Sequence, residues 1–289
     1  MAYVVVSALS HTGLLRDRNE DSLVVGPWTL CSTVTESPQT LLFPLGTPLV
    51  VAVADGLGGH PAGEVASAMV VRRLSRIGPD LDSEEAVRDA LGGCNRAVYA
   101  AADDDPDLIM MGTTVAGLVV TEERIISFNV GDSRVYALDG EDGEDGEDGE
   151  DGKGGKHGKG GKNGKNGKNG DEGGNGDGGG EGEQRLRELS VDDNPPLAPG
   201  QRTTTVVTQT LGGTPDFSPV DPHVSSAPLT AGTRHLVCSD GLTDPVPDDA
   251  IESVLREHAD GRAAFELWKA AMDAGGPDNI TLAAVRIGD

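Results

Sequence analysis

Basic residues are scarce in this chain: 23 Lys and Arg stand against 48 Asp and Glu, for a formal charge of −25. Binding a nucleic-acid backbone needs net positive charge, so that class of partner is excluded. Cysteine is scarcer still. Cys31, Cys94 and Cys238 are odd in number and show no CxxC spacing, which argues against a disulfide framework or a thiolate zinc site and favours a reducing compartment. Long apolar runs are also missing. No stretch approaches the ~18 apolar residues of a membrane span, and the start MAYVVVSALSHTG has no basic segment ahead of an apolar run, so no signal peptide is expected. The expectation is a soluble, cytoplasmic protein, and 289 residues suffice to bury a substantial core.

Proline is absent where it would matter most. From Gly140 to Gly182 glycine occupies every third position, and the segment holds 20 of the chain's 42 glycines. A strict Gly-X-Y period is the collagen signature, because only glycine fits at the axis of a triple helix. Collagen also draws on abundant proline at X and Y, and this tract has none. With 12 acidic and 6 basic residues and nothing apolar to bury, it reads as a solvated insert. A collagen-like trimer is the alternative.

Outside the tract the chain reads as a single domain spanning residues 1–289, with 140–182 inserted at a hairpin. Apolar or alternating runs predict strands at Tyr3–Leu9, Leu49–Ala54, Thr114–Val120, Ile125–Val130, Val135–Leu138, Leu186–Leu189, Thr204–Thr208, His235–Cys238 and Ile280–Ile287. Three- and four-residue apolar spacing predicts helices at Ala62–Ile77, Ser83–Ala102, Asp248–Glu257 and Arg262–Ala274, with Ser83 and Glu85 marking one N-terminus. Strands in series with helices in pairs favour α+β layers over alternating βαβ units. The insert falls between VYALD and RLREL, where a hairpin tip tolerates length: each doubling of a loop costs only about 0.6 kcal/mol.

Several acidic residues break the pattern of a solvated face. Asp55 ends LVVAVAD before GLGG, Asp240 ends HLVCSD before Gly241, Asp132 follows FNVG, Asp278 lies in GGPDN before ITLAAVRI, and Glu20 and Asp21 close RDRNED before SLVV. A strand that delivers a carboxylate to a glycine turn places it at a sheet edge, where backbone and ligand come close. Asp-Gly turns explain one or two such residues but not so many. Carboxylates without His or Cys select hard cations, Mg²⁺, Mn²⁺ or Ca²⁺, rather than zinc. Two such ions about 3.5–4 Å apart generate a hydroxide nucleophile for in-line attack on phosphorus. Arg16, four residues before Glu20, offers a bidentate cation for phosphate; a structural or surface arginine is the plainer reading.

In order and spacing, SHTGLLRDRNEDS (10–22), VAVADGLGGHPAGEVAS (51–67), MGTTVAGLVV (111–120), FNVGDSRVYAL (128–138), LVCSDGLTD (236–244) and GGPDNITLAAV (275–285) resemble the metal-dependent protein serine/threonine phosphatases, the PPM or type 2C family, and its compact bacterial members in particular. The blocks span nearly the whole chain outside the glycine tract. The resemblance implies a four-layer α-β-β-α sandwich with two central antiparallel sheets flanked by helix pairs. It implies two, or three, Mn²⁺ or Mg²⁺ ions: Asp55 bridging the first two, the Gly56 carbonyl on one of them, Asp240 and Asp278 on the other, and Glu20 and Asp21 reaching the second through water. Asp132 would hold a third ion with Asp240, and Asp244 either helps there or begins the next turn. Arg16 would grip the substrate phosphate. His60 is left with two roles, protonating the leaving serine oxygen or capping the helix that begins near Ala62.

The implied activity is hydrolysis of phosphoserine and phosphothreonine in proteins by metal-bound hydroxide without a phosphoenzyme, opposing a Ser/Thr kinase, by a monomer. Two departures bear on it. Where the family carries a histidine after ELS-x-D, this chain has Asp193 in VDDN, and the segment NPPLAPGQRTTT is shorter than the usual flap. A catalytically silent regulator that binds phosphoproteins or a kinase, and an assembly protein trimerised by the tract, are the readings from other classes.

Overall fold

The computed structural model describes residues 2–57, 62–138, 185–196, 201 and 203–288. The Gly-X-Y tract and His60 lie outside the described residues, and with them the readings of solvated insert, trimerising element and general acid. In chain order the elements are β1 (Tyr3–His11), β2 (Ser22–Val25), β3 (Trp28–Cys31), β4 (Gln39–Pro44), β5 (Leu49–Ala54), α1 (Gly63–Ile77), α2 (Glu84–Asp104), β6 (Gly112–Thr113), β7 (Val115–Val120), β8 (Arg124–Val130), β9 (Arg134–Leu138), β10 (Leu186–Glu188), β11 (Leu211–Gly212), β12 (His223–Pro228), β13 (Arg234–Cys238), α3 (Asp240–Thr243), α4 (Asp248–Glu257), α5 (Asp260–Asp273) and β14 (Ile280–Gly288).

Two six-stranded antiparallel sheets form the centre, in the orders β10-β9-β13-β14-β1-β4 and β12-β8-β7-β5-β2-β3, beside a small β11-β6 ladder. Their inner strands are apolar on both faces because both faces are covered. Along β5, Leu49, Val51 and Val53 face the core between the sheets, whereas Val50, Ala52 and Ala54 face the core under α1 and α2. This is the period-2 alternation of a strand, with a hydrophobic layer on each side. On the other sheet, Leu236, Cys238, Ile280 and Leu282 join Ile251, Leu255, Ala264 and Leu267 of α4 and α5. Three apolar layers therefore separate four structural ones, the α-β-β-α sandwich of the expected fold. Truncating a fully buried member such as Leu118 or Leu236 to Ala costs about 2–5 kcal/mol.

The predicted helices form within a few residues of their expected ends, and Ser83 caps α2 by accepting from the Ala86 N–H at 3.3 Å. β9 and β10, the strands that flank the tract, pair antiparallel with Leu186 opposite Leu138. One expectation fails. Thr204–Thr208 is loop, not strand. Its β-branched run has strand propensity, but propensity needs a neighbouring edge to pair with; here Asp193 takes the one ladder-like contact, its carbonyl accepting from the Thr208 N–H at 2.6 Å.

β13 also buries a titratable group. His235 is 6% exposed, and its Nδ1 has no hydrogen-bond partner. Burial, helped by the charge of Arg187, lowers its pKa to about 4. The folded state thus holds a neutral imidazole, while the unfolded chain takes a proton near pH 6.5. Its contribution is present above pH 6.5 and is lost as pH falls towards 4, by up to about 3 kcal/mol. His235→Gln should flatten the acid limb of a melting-temperature profile between those values; a limb as steep as that of the wild type contradicts this account.

Candidate metal centre

The acidic side chains singled out in the sequence sit where strands of both sheets begin or end. β5 delivers Asp55, β8 delivers Asp132 one residue past Gly131, and β2 begins just after Glu20 and Asp21. From the other sheet, β13 leads into Asp240 and β14 starts just after Asp278 and Asn279. The result is a cleft of about 440 Å³ lined by Glu20, Asp55, Asp132, Asp240 and Asp278, with Arg16, Arg18 and Thr114. Asp21 lies beneath it, fully buried, with Oδ2 accepting from the Ser239 hydroxyl at 2.9 Å and Oδ1 unpartnered.

Close backbone approach fixes this geometry. A Cβ on Gly241 would lie 1.9 Å from the Asn279 carbonyl oxygen, and one on Gly13 (φ +80°) 2.1 Å from that of Asp278. Only glycine fits at either place. Asn279 ties the same loop down: its Oδ1 accepts from the Glu20 N–H at 2.8 Å, and its Nδ2 donates to the carbonyls of Thr12 and Arg18 at 2.9 and 2.8 Å. The Asp55 carbonyl accepts from the Thr114 N–H and the Thr113 hydroxyl at 2.9 and 2.7 Å. Gly56 is buried and forms a single bridge to Thr113.

Electrostatically the cleft is frustrated. Burial first, then the charges of Asp21, Asp240 and Asp278, raise the Asp55 carboxyl well above the usual range. Burial, then Asp132, Asp278 and Asp244, do the same to Asp240, whose Oδ1 is buried and unpartnered. Burial pushes Asp21 and, with Asp132, Asp244 to about 6, and raises Asp132 and Glu20. Among the described residues no three donors close into a preformed cage; the carboxylates line an open cleft instead. Two orphaned buried oxygens and an all-carboxylate donor set fit hard cations that keep much of their water. Arg16 reaches this set directly, donating to Asp278 Oδ2 at 2.6 Å. A guanidinium has five N–H donors, so this contact leaves others for phosphate. Asp244 borders a second cavity of about 300 Å³ with Asp132 and Asp240.

A family model described as protein phosphatase 2C matches residues 44–145. The serine/threonine protein phosphatase PstP of Mycobacterium tuberculosis is 28% identical over 98% of this chain and 45% of its own length. The serine/threonine phosphatase stp of Listeria monocytogenes is 28% identical over 82% of this chain and 83% of its own. The crystal structure of the PstP catalytic domain, in complex with two manganese ions, superposes with a TM-score of 0.68 at 27% identity, covering 100% of both chains. Over residues 44–145 the chain is similar to the protein phosphatase 2C family. It spans 45% of the length of the PstP relative, and its likeness to Stp1 of Staphylococcus aureus, TM-score 0.69 at 21% identity, concerns the fold.

Asp193, the departure from the phosphatase 2C pattern, has a definite job. Its Oδ2 accepts from the Gly131 N–H at 2.8 Å and from Gln209 Nε2 at 3.0 Å, while Oδ1 meets His223 Nε2 at 2.9 Å. It thereby ties the 203–210 loop and β12 to the turn that presents Asp132, and the adjacent Asn194 donates to Asp132 Oδ2 at 3.2 Å. An imidazole appears here after all, supplied by His223 from another strand. Sequence reading missed His223, Asn279 and Ser239 because their partners lie far along the chain; only the place of Asn279 in GGPDN hinted at a role. Asp193→Ala should lower the free energy of unfolding by about 2 kcal/mol or more, since it strands several donors at once. Denaturant titration checks this, and a loss below about 0.5 kcal/mol, typical of plain surface sites, contradicts it.

Proposed function

We propose that this chain is a metal-dependent protein serine/threonine phosphatase acting on phosphoproteins, and that it opposes a Ser/Thr kinase as a cytoplasmic monomer. Residues 1–289 form its catalytic domain in this reading, with 140–182 as an insert between β9 and β10. The observation that carries the activity is the juxtaposition of mutually repelling, partly orphaned carboxylates with an arginine in one cleft. Asp55, with the Gly56 carbonyl, Asp240, Asp278 and the Glu20–Asp21 pair would hold two Mn²⁺ or Mg²⁺ ions, and Asp132 with Asp240 a third. Such ions would neutralise phosphoryl charge and lower the pKa of bound water.

The chain's own residues do the rest. Arg16, held by Asp278 at the cleft, orients the phosphate bidentately. Thr113 and Thr114 fix the Asp55 backbone, so the carboxylate needs little reorganisation when charge develops. Asn279 keeps the Glu20 and Arg16 segment in register with Asp278. The named phosphatases among its relatives and the manganese-bound neighbour support this reading. Every carboxylate that the family pattern calls for is present, which weighs against a silent regulator.

Mn²⁺-dependent hydrolysis of p-nitrophenyl phosphate tests the proposal. Asp55→Asn and Asp240→Asn should each lower kcat/KM by about a hundredfold or more, several kcal/mol of lost charge stabilisation, with circular dichroism unchanged. Turnover without added metal that survives chelation, or full turnover in either variant, contradicts it.

A further inference from the structure

Two large apolar side chains stand in solvent beside Arg16: Leu14 is 60% and Leu15 73% exposed. Their segment is not loose. The Leu14 N–H donates to the Gly276 carbonyl at 2.8 Å, the Gly13 N–H to His11 Nδ1 at 2.9 Å, and Asn279 holds the carbonyls of Thr12 and Arg18. A loop tied on both sides that still presents leucines to water is displaying them, and an exposed apolar patch rimmed by polar groups marks an interaction site. Leu15 lines the carboxylate cleft, and Leu57 and Val207 line it too. Val206, next along the chain, is 55% exposed.

We propose that Leu15, with Leu57 and Val207, forms a subsite for an apolar residue flanking the phosphorylated one, so that the enzyme selects phosphopeptides with apolar neighbours. This rests on the phosphatase reading above. The geometry follows from adjacency: consecutive Cα atoms lie about 3.8 Å apart, so a peptide whose phosphate is held by Arg16 brings its neighbouring residues against Leu15. The occupant is a peptide and not an anionic membrane, because the chain carries a net charge of −25 and such a surface repels it. Acidic flanking residues face the same repulsion.

Steady-state kinetics with the full chain and Mn²⁺ test this, using two phosphothreonine peptides that differ only in having leucine or serine on either side of the phosphorylated residue. Wild type should favour the leucine peptide by about tenfold in kcat/KM, carried mainly by KM. Leu15→Ser should bring the ratio near unity, Leu15→Met should restore most of it, and p-nitrophenyl phosphate turnover should stay within about twofold throughout. Equal kcat/KM for the two peptides in the wild type, or a ratio unmoved by Leu15→Ser, overturns the subsite and leaves the phosphatase reading standing. Absence of p-nitrophenyl phosphate turnover in the wild type overturns both. A concentration-dependent dimer by light scattering that Leu15→Ser dissolves assigns the leucines to a second copy and overturns the proposal as well.

Discussion

Mutual repulsion among buried carboxylates is the constraint on which the rest of this molecule depends. Burial first, and then the charges of neighbouring carboxylates, Asp278 among them, raise the carboxyls of Asp21, Asp55 and Asp240 above the usual range. Among the described residues nothing cancels that repulsion fully. Arg16 reaches Asp278, and Ser239 serves one oxygen of Asp21, but buried oxygens of Asp21 and Asp240 remain without partners. An unsatisfied buried charge is expensive, so a structure that keeps two such oxygens recovers the cost when something cationic binds.

The sandwich is what makes such crowding sustainable. Each carboxylate is anchored by a strand whose two apolar faces are buried, so the repulsion is borne by three hydrophobic layers and not by a loop free to relax. Both sheets contribute: β2, β5 and β8 from one, β13 and β14 from the other. The two sheets must therefore stay in register for the cleft to exist. Tight glycine approaches at Gly13 and Gly241 and the threefold clamp of Asn279 transmit that register to the loops.

How much of this was legible in the sequence follows from which signals are local. β5 and α4 were read to their terminal residues because an unbroken apolar run and a periodic helix announce themselves within one segment. The short β2 and β3 and the half-exposed edge strand β4 were missed: four to six residues, some facing water, carry too little pattern. Thr204–Thr208 erred the other way, with strand composition and no edge to join. At the site, the carboxylates were legible because each ends or precedes a strand beside glycine. The depth of Asp21 below the cleft, the grip of Arg16 on Asp278 and the Asp193–His223 pair were not, since each joins segments tens to hundreds of residues apart.

If charge repulsion balanced by cations is the organising principle, removing one charge must have opposite effects with and without metal. The most direct measurement is the unfolding free energy of wild type and Asp240→Asn at neutral pH, in chelator and in saturating Mn²⁺. In chelator the variant should be the more stable, because its folded state no longer holds a buried carboxylate among like charges. In Mn²⁺ the order should reverse, because metal binding stabilises the wild type by linkage and the variant much less. A variant less stable than wild type in chelator, or one stabilised equally by Mn²⁺, would contradict the account.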